Sequence, residues 1–317
     1  LTAPEDAPRT DLAVVIVTWN NAEIIADALR SLLEDLAGSG LRCEVWLVDS
    51  ASDDHTVEIV RRDFDNVILL ENETNIGFGA ANNQALRQLG FANAARREKP
   101  TAVYLLNPDT VTQPGATRLL YDTLLSRSEI GVVGARLTFA DGSFQHSAFR
   151  FPGLRQLWAE LFPTPGRLIE GGFNGRYPRS LYAGALPFDV DFTLGATMML
   201  RREAIEKTGL FDEDFFIYCE EVDWAWRIRK HGWRILCVPR AHVTHLGGGS
   251  TSQVRPSSLI HLWKSRLLLY EKHFPAWKRQ LARQLVILGM RRKMRNLKAE
   301  EAELRAACRA IIEMAEA

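Results

Sequence analysis

The sequence predicts an α/β protein: a mostly parallel β-sheet flanked by helices, followed by a helical C-terminal extension. Three observations carry this. Continuous apolar runs recur through the first third of the chain, at Leu12–Thr18, Cys43–Val48, Val67–Leu70 and Ala102–Leu106. Amphipathic segments of helical length separate them. Past Pro256 the chain has helical periodicity to its end. A strand that is apolar at every position, rather than at alternate ones, is covered on both faces, the condition of a parallel sheet clad by helices.

Taken in order, Leu12–Thr18 ends in a polar turn and leads into a helix over Ala22–Leu36. Cys43–Val48 leads into a helix over Asp53–Arg62, and Val67–Leu70 into one over Gly79–Leu89; Ala102–Leu106 is the fourth strand. From Gly131 the pattern changes. Val132–Phe139 and Ser143–Phe149 flank Asp141-Gly142, the dipeptide of a tight hairpin turn. Residues 150–187 mix Gly, Pro and aromatics without a period, and long irregular stretches inside a domain are commonly functional. Strands are expected at Phe188–Phe192 and Ala196–Leu200, a helix at Glu221–His231 and a strand at Arg234–Val238. No internal repeat is found. The expected division is 1–250 as one domain, with a nucleotide-binding half at 12–110 and an acceptor half at 130–250, and 251–317 as the extension.

At 317 residues, 46% hydrophobic and 9% aromatic, the chain can bury roughly 75% of its unfolded surface, which excludes a disordered protein. No run of 18 apolar residues occurs, so no spanning helix is expected. Leu1 to Asp11 is polar and contains two prolines, unlike a secretory signal; a chain opening on Leu1 is expected to be trimmed or partial. The four cysteines, Cys43, Cys219, Cys237 and Cys308, have neither zinc-site nor disulfide-framework spacing, and read as core residues of a cytoplasmic protein. The balance of 39 basic and 39 acidic side chains hides a local asymmetry. Residues 1–254 carry 25 bases and 33 acids, residues 255–298 twelve bases and one acid, and residues 299–317 two bases and five acids.

Ligands of parallel sheets bind outside the carboxyl ends of the strands, and polar clusters stand there. Thr18-Trp19-Asn20 follows the first strand, Asp49-Ser50-Ala51-Ser52-Asp53 the second, and Asn107-Pro108-Asp109 the fourth. Asp49 can accept from a base N–H or a ribose hydroxyl while Trp19 walls the base; capping of the next helix is the alternative, favoured for Asp53. Asp109, with substrate phosphates and water, would nearly complete an octahedral Mg²⁺ or Mn²⁺ site; taken alone, an Asn-Pro-Asp sequence is more often a structural turn. Neither a P-loop nor a GxGxxG opening the first helix is present. The nearest glycine pair, Asn75-Ile76-Gly77-Phe78-Gly79, lacks the third glycine and the lysine, which disfavours P-loop nucleotidases and Rossmann dehydrogenases. Glu220-Glu221-Val222-Asp223 opens a helix, where acids suit the dipole and Asp223 can pair with Arg227. The preceding Phe215-Phe216-Ile217-Tyr218 places Glu220 and Glu221 beside an apolar wall, where desolvation raises a carboxyl toward the range of a general base. His242 and His245 precede Gly247-Gly248-Gly249-Ser250; His245 is a metal or phosphate candidate.

Six segments in order, VVIVTWNN (14–21), VDSASDD (48–54), NETNIGFGAANN (72–83), LLNPDT (105–110), the run from Asp191 to Ile235, and VPRAHVTHLGGGS (238–250), resemble the family 2 inverting glycosyltransferases of the GT-A fold, and within them the bacterial rhamnosyltransferase-like group. The resemblance implies that Thr18, Trp19 and Asp49 hold the base, with Asn75 and Asn82 near the ribose or sugar, and Asn20, Ser50, Gly77 and Asn107 completing the nucleotide side. It implies Asp109 and His245 as metal or diphosphate ligands, Glu221 as catalytic base, Glu220 on the acceptor, and Leu194-Gly195-Ala196 as the floor of the acceptor site. Asn107 stands where the family's DxD motif has its first acid. Glu221 is one methylene longer than the family's usual Asp, so Glu220 and Glu221 could exchange roles.

The implied function is metal-assisted transfer of a sugar, L-rhamnose from dTDP-rhamnose, to a hydroxyl of a cell-envelope glycan or lipid-linked saccharide. A UDP-hexose or galactofuranosyl transferase on the same scaffold is the alternative donor reading, and a non-catalytic nucleotide-binding protein the alternative class. Residues 255–298 mix Trp, Leu and Ile with Lys and Arg, suiting contact with the anionic inner face of a membrane. A solvated face or a homo-oligomer interface is the other reading. The acidic body argues against nucleic acid as a partner.

Overall fold

The computed structural model describes residues 10–92, 98–247, 255–298 and 300–317. In chain order they form β1 (Leu12–Thr18), α1 (Ile25–Ser39), β2 (Cys43–Asp49), α2 (Thr56–Asp63), β3 (Val67–Glu71), α3 (Phe78–Gln88), β4 (Ala102–Leu106), β5 (Thr110–Thr112) and α4 (Ala116–Leu125). There follow β6 (Ile130–Thr138), β7 (Phe144–Gln145), β8 (Ala148–Phe149), α5 (Leu154–Leu161), α6 (Gly166–Ile169), α7 (Arg179–Ala183), β9 (Phe188–Asp189), β10 (Phe192–Thr193), β11 (Thr197–Arg201) and α8 (Arg202–Thr208). The chain ends with α9 (Glu220–Lys230), β12 (Arg234–His245), α10 (Arg255–His273), α11 (Ala276–Asn296) and α12 (Ala302–Glu316).

One large sheet runs in the order β3-β2-β1-β4-β11-β6-β12-β5, with β7 paired to β6 and β9 to β12. The first four strands are parallel, Ile16 standing opposite both Leu47 and Leu106, while β11 is antiparallel between β4 and β6. Strand order reverses at β1, so the carboxyl ends of β1 and β4 lie side by side, the crevice where ligands of such sheets bind.

All seven residues of β1 are buried. Alternation along the strand sends Leu12, Val14 and Ile16 into one apolar cluster with Leu29 and Leu120 of α1 and α4. It sends Ala13, Val15 and Val17 into another with Ala81 of α3 and Trp224 of α9. Full burial of each such Val, Leu or Ile contributes about 1.5–3 kcal/mol, which is why the run carries no polar residue until its end. The four cysteines are free, three of them buried.

The second half departs from expectation where pattern was weakest. The hairpin closes as β6–β7, but Ala148–Phe149 leaves it to pair with Thr193–Phe192. The strand expected at Phe188–Phe192 is split, because its first residues bond β12 and its last bond β8. Residues 150–187 hold short helices. The expected strand Arg234–Val238 continues to His245. Between Val238, opposite Ala135, and His242, opposite Arg136, three residues bulge out before pairing resumes.

Leu157 of α5, Trp263, Tyr270 and Phe274 of α10, Ile287 of α11 and Ile311 of α12 form a third apolar cluster. The extension is tied to the sheet body through α10. His273 Nε2 stands 2.7 Å from Asp223 Oδ1, and Lys272 reaches Asp212 and Asp214 at 2.7 and 3.0 Å. Asp223 also accepts from Arg227 Nε at 2.8 Å, the expected pairing one turn apart. Burial alone would raise the Asp223 carboxyl; hydrogen bonds from His273 and Arg227 outweigh it and hold the group below the ordinary carboxylate range. No helix among the described residues is long and apolar enough to cross a membrane.

Candidate active site

A cavity of about 310 Å³ receives the ends of β1, β2, β4, β10 and β12, together with the loops before α3 and α9. From β1 come Val17, Thr18 and Trp19. The turn after them is set by Asn21, whose Nδ2 donates to Thr18 Oγ1 and to the Trp19 carbonyl, each at 3.0 Å. Ser50 comes from the end of β2. The loop before α3 supplies Asn75, Gly77 and Phe78; Asn75 Oδ1 accepts from the Gly77 amide at 3.0 Å.

Three expected nucleotide residues are not part of this lining. Asp49 is buried, and its carboxylate accepts from the Ser52 amide at 2.9 Å and the Ser52 hydroxyl at 2.5 Å. Asn20 spends Oδ1 on the Asp53 amide, and Asn82 donates to the Phe78 carbonyl within its own helix. The capping expected of Asp53 falls to Asp54, whose Oδ1 accepts from the Thr56 amide and hydroxyl while Oδ2 accepts from the Ala22 amide. Asp53 itself is exposed, and its amide donates to Asn20.

Asn107, Pro108 and Asp109 line the cavity where β4 turns into β5. Antiparallel pairing sets His245 opposite Thr110, and the Leu246 amide donates to the Asp109 carbonyl at 2.9 Å. His245 Nε2 consequently lies 3.3 Å from Asp109 Oδ1. The other ring nitrogen, Nδ1, is 3.2 Å from Gln145 Oε1 of β7 and 3.1 Å from its Nε2. An Nδ1–H donated to Oε1 leaves the Nε2 lone pair facing Asp109 and the cavity, whereas an Nδ1 accepting from the amide turns an Nε2–H toward Asp109. His242, the other candidate on this strand, is exposed and does not line the cavity; Gly248, Gly249 and Ser250 lie outside the described residues.

Leu194, Gly195 and Ala196 form another side. A β-carbon on Gly195 would sit 3.6 Å from the Cβ and Cγ of Glu221, so this turn abuts the start of α9. Glu220 and Glu221 project from that helix start, preceded in the lining by Phe216, Ile217 and Tyr218. Tyr218 and Cys219 are both left-handed, at φ 71° and 67°. Two consecutive non-glycine residues there cost roughly 1–3 kcal/mol each, a strain that turns the chain abruptly into the helix. Glu220 is 4% exposed; burial, then repulsion from Glu221, raises its carboxyl well above the ordinary range. Burial also raises Glu221, against hydrogen bonds from the Glu221 and Val222 amides.

Among the described residues, ten buried side-chain polar atoms lack a hydrogen bond, and three of them, Ser50 Oγ, Asp109 Oδ1 and Glu220 Oε2, belong to residues that line this cavity. Buried polar atoms are almost always satisfied, so these three are open to a polar ligand entering the cavity. Asp109 offers the carboxylate oxygen that suits Mg²⁺ or Mn²⁺, and His245 a nitrogen donor beside it. No group of three or more His, Cys, Asp or Glu placed to hold a metal is found among the described residues. Two protein ligands, with phosphate and water oxygens for the rest, fit a cation that arrives with a diphosphate.

Residues 13–209 match glycosyl transferase family 2. The chain belongs to that family. This glycosyltransferase is 30% identical over 285 residues to the N-acetylglucosaminyl-diphospho-decaprenol L-rhamnosyltransferase of Mycobacterium tuberculosis, an alignment covering 85% of this chain and 87% of the relative. Its fold is similar to that of the mannosyltransferase PcManGT from Pyrobaculum calidifontis in complex with GDP-Man and Mn²⁺, at a TM-score of 0.55 and 17% identity over 99% of this chain and 89% of that one. It is also similar to GalNAc-T7 with UDP, GalNAc and Mn²⁺, at a TM-score of 0.58 and 16% identity; that match covers 98% of this chain and 56% of the other. At such identities the two structures establish the GT-A fold and nothing finer. Sequence reasoning found the acids and the histidine of the cavity but missed Gln145, whose contact with His245 spans 100 positions.

Proposed function

We propose that this enzyme transfers L-rhamnose from dTDP-rhamnose, with inversion, to a hydroxyl of a lipid-linked saccharide. The observation that carries the reading is the convergence of Asp109 and His245 with the raised carboxyls of Glu220 and Glu221 in one cavity at the strand ends. The rhamnosyl donor and lipid-diphosphate acceptor are supported by the name of the mycobacterial relative. Thr18, Trp19, Ser50, Asn75, Gly77 and Asn107 form the nucleotide side, backed by Asp49, Asn20 and Asn82. Leu194, Gly195 and Ala196 floor the acceptor side.

Glu221 takes the proton of the acceptor hydroxyl as its oxygen bonds the anomeric carbon. The carbon–oxygen bond to the diphosphate breaks with its electron pair, and the nucleoside diphosphate departs from the opposite face. Two adjacent carboxyls surrender their protons in separate steps. Glu221, the more exposed of the two and abutting the Gly195 turn, is the base, and Glu220, buried beside it, contacts the acceptor. Asp109 and His245 would hold a Mg²⁺ or Mn²⁺ ion, which when bound supplies neutralising charge at the leaving diphosphate.

Residues 255–298 contribute a peripheral membrane contact. On α11, Trp277, Leu281 and Leu288 follow one helical stripe and are 64%, 49% and 52% exposed. The same stripe continues into exposed Arg291 and Arg295, which suits an anionic lipid surface.

The test is calorimetric titration of dTDP and UDP, each with and without Mn²⁺, followed by turnover of dTDP-rhamnose on a lipid-linked acceptor. Metal-dependent binding that favours dTDP is expected. Preference for UDP would replace the donor with a UDP-hexose, and binding of neither would overturn the assignment.

A further inference from the structure

We infer that Ser265 of α10 is a positioning residue for the transfer reaction, holding from outside the turn that delivers Glu220 and Glu221 to the cavity. The inference rests on the proposed role of those two acids.

Ser265 is 4% exposed, and its Oγ donates to the carbonyl of Ile217 at 2.7 Å. Ile217 is the residue immediately before the left-handed pair Tyr218 and Cys219, which is itself followed by Glu220. A turn of two strained residues persists only where its surroundings over-determine it. The turn's own sequence, Ile-Tyr-Cys, has no glycine or asparagine to favour that backbone. Ser265 pins the peptide on its entry side. One turn earlier on α10, the His261 ring stacks on Phe216 at 4.9 Å between centroids. On the exit side the Asp223 amide bonds the Cys219 carbonyl at 2.8 Å, and Asp223 is gripped by His273 of the same α10. One helix thus touches the segment before the strained pair, at Phe216 and Ile217, and after it, at Asp223.

The consequence is specific to chemistry. Losing the Ser265 hydroxyl frees the Ile217 carbonyl and lets the turn that carries the carboxylates relax, and mispositioning by about 1 Å can cost 10²-fold in rate. A residue that merely stabilises the fold would lower the fraction of folded enzyme without changing kcat per folded molecule.

The experiment compares Ser265→Ala, Ser265→Thr and Glu221→Gln in the full-length protein, by steady-state transfer kinetics, dTDP calorimetry and thermal unfolding. Ser265→Ala is expected to lose roughly ten- to a hundred-fold in kcat, with dTDP affinity within about twofold and the cooperative unfolding transition retained. Ser265→Thr, which keeps the hydroxyl, is expected to recover most of that loss. A second variant, His261→Ala, removes the stack without touching the carbonyl bond and is expected to lower kcat by a smaller factor. The inference is overturned if Ser265→Ala keeps wild-type kcat while Glu221→Gln is impaired. It is overturned equally if the alanine loss is not recovered by threonine. If Glu221→Gln retains full transfer, it is the assignment of the base that fails.

Discussion

Gly77 presses its bare α-carbon against Phe216. A β-carbon there would lie 2.8 Å from Phe216 Cδ2 and closer still to its carbonyl oxygen, and the next amide, that of Phe78, donates to that same carbonyl at 2.8 Å. This contact joins the nucleotide side of the cavity to the turn that carries the acids. Gly77 also sits at φ 86°.

Gly77→Ala therefore meets two obstacles at once, a backbone region hostile to side chains and a collision with main chain. A stability loss of about 2 kcal/mol or more is expected, a side chain in that glycine-only backbone region alone costing roughly 1–3, together with weaker dTDP binding. Denaturant unfolding and calorimetry check this. An alanine variant as stable and as tight-binding as wild type would refute the close approach.

Glu221→Gln is expected to lower turnover by about 10²–10⁴-fold while dTDP binding persists. Because the base acts ionised and its carboxyl is raised, the wild-type rate should climb with pH through an apparent pKa above the ordinary Glu value of about 4.3. A pH–rate profile that is flat from 4 to 8 would contradict this assignment.

The same raised carboxyls make a stability prediction with a definite sign. Between the unfolded pKa and the raised folded pKa, the native state binds more protons than the unfolded one, so stability falls as pH rises across that window. The contribution is fully present below the unfolded pKa. Glu220→Gln, neutral at every pH, should flatten that part of the curve. Urea melts at pH 4, 5, 6 and 7 would show it.

Gln145→Ala removes the partner of His245 Nδ1 without altering either candidate ligand. Groups that orient a ligand in this way are worth about 10- to 100-fold in metal affinity, so Mn²⁺ binding in the presence of dTDP should weaken by that order. Asp109→Asn should weaken it further. Calorimetric Mn²⁺ titration of the two variants distinguishes these effects from a general loss of fold.

Replacing Trp277, Leu281 and Leu288 together by Ser should abolish sedimentation with phosphatidylglycerol vesicles and leave turnover of a water-soluble acceptor intact. Wild-type binding should weaken with added salt. If the triple variant instead converts a dimer to a monomer, the stripe is an interface between copies.

The sheet was legible because its signal is local. A strand such as Leu12–Thr18 announces burial on both faces at every position, and the helices between the strands need only their own periodicity. What escaped depends on distant pairing. Thr110–Thr112 is too short to register by composition, and it is a strand because Thr244 and His245 lie opposite it. Ala148–Phe149 reads as part of a hairpin until Phe192 competes for it. Of the cavity residues, those with chemistry in their side chains could be named in advance. Ser265 could not, since a serine in a basic helix carries no signal until the Ile217 carbonyl is brought against it.

The three-residue bulge at 239–241 leads into the stretch of β12 whose pairing with β5 sets which way His245 points. Strand side chains alternate sides with a period of two, so a one-residue slip of β12 past the bulge would rotate His245 away from Asp109 and turn the buried Val243 out of the core with it. The histidine is thereby tied to the packing of the core: the register that seats Val243 is the one that aims His245.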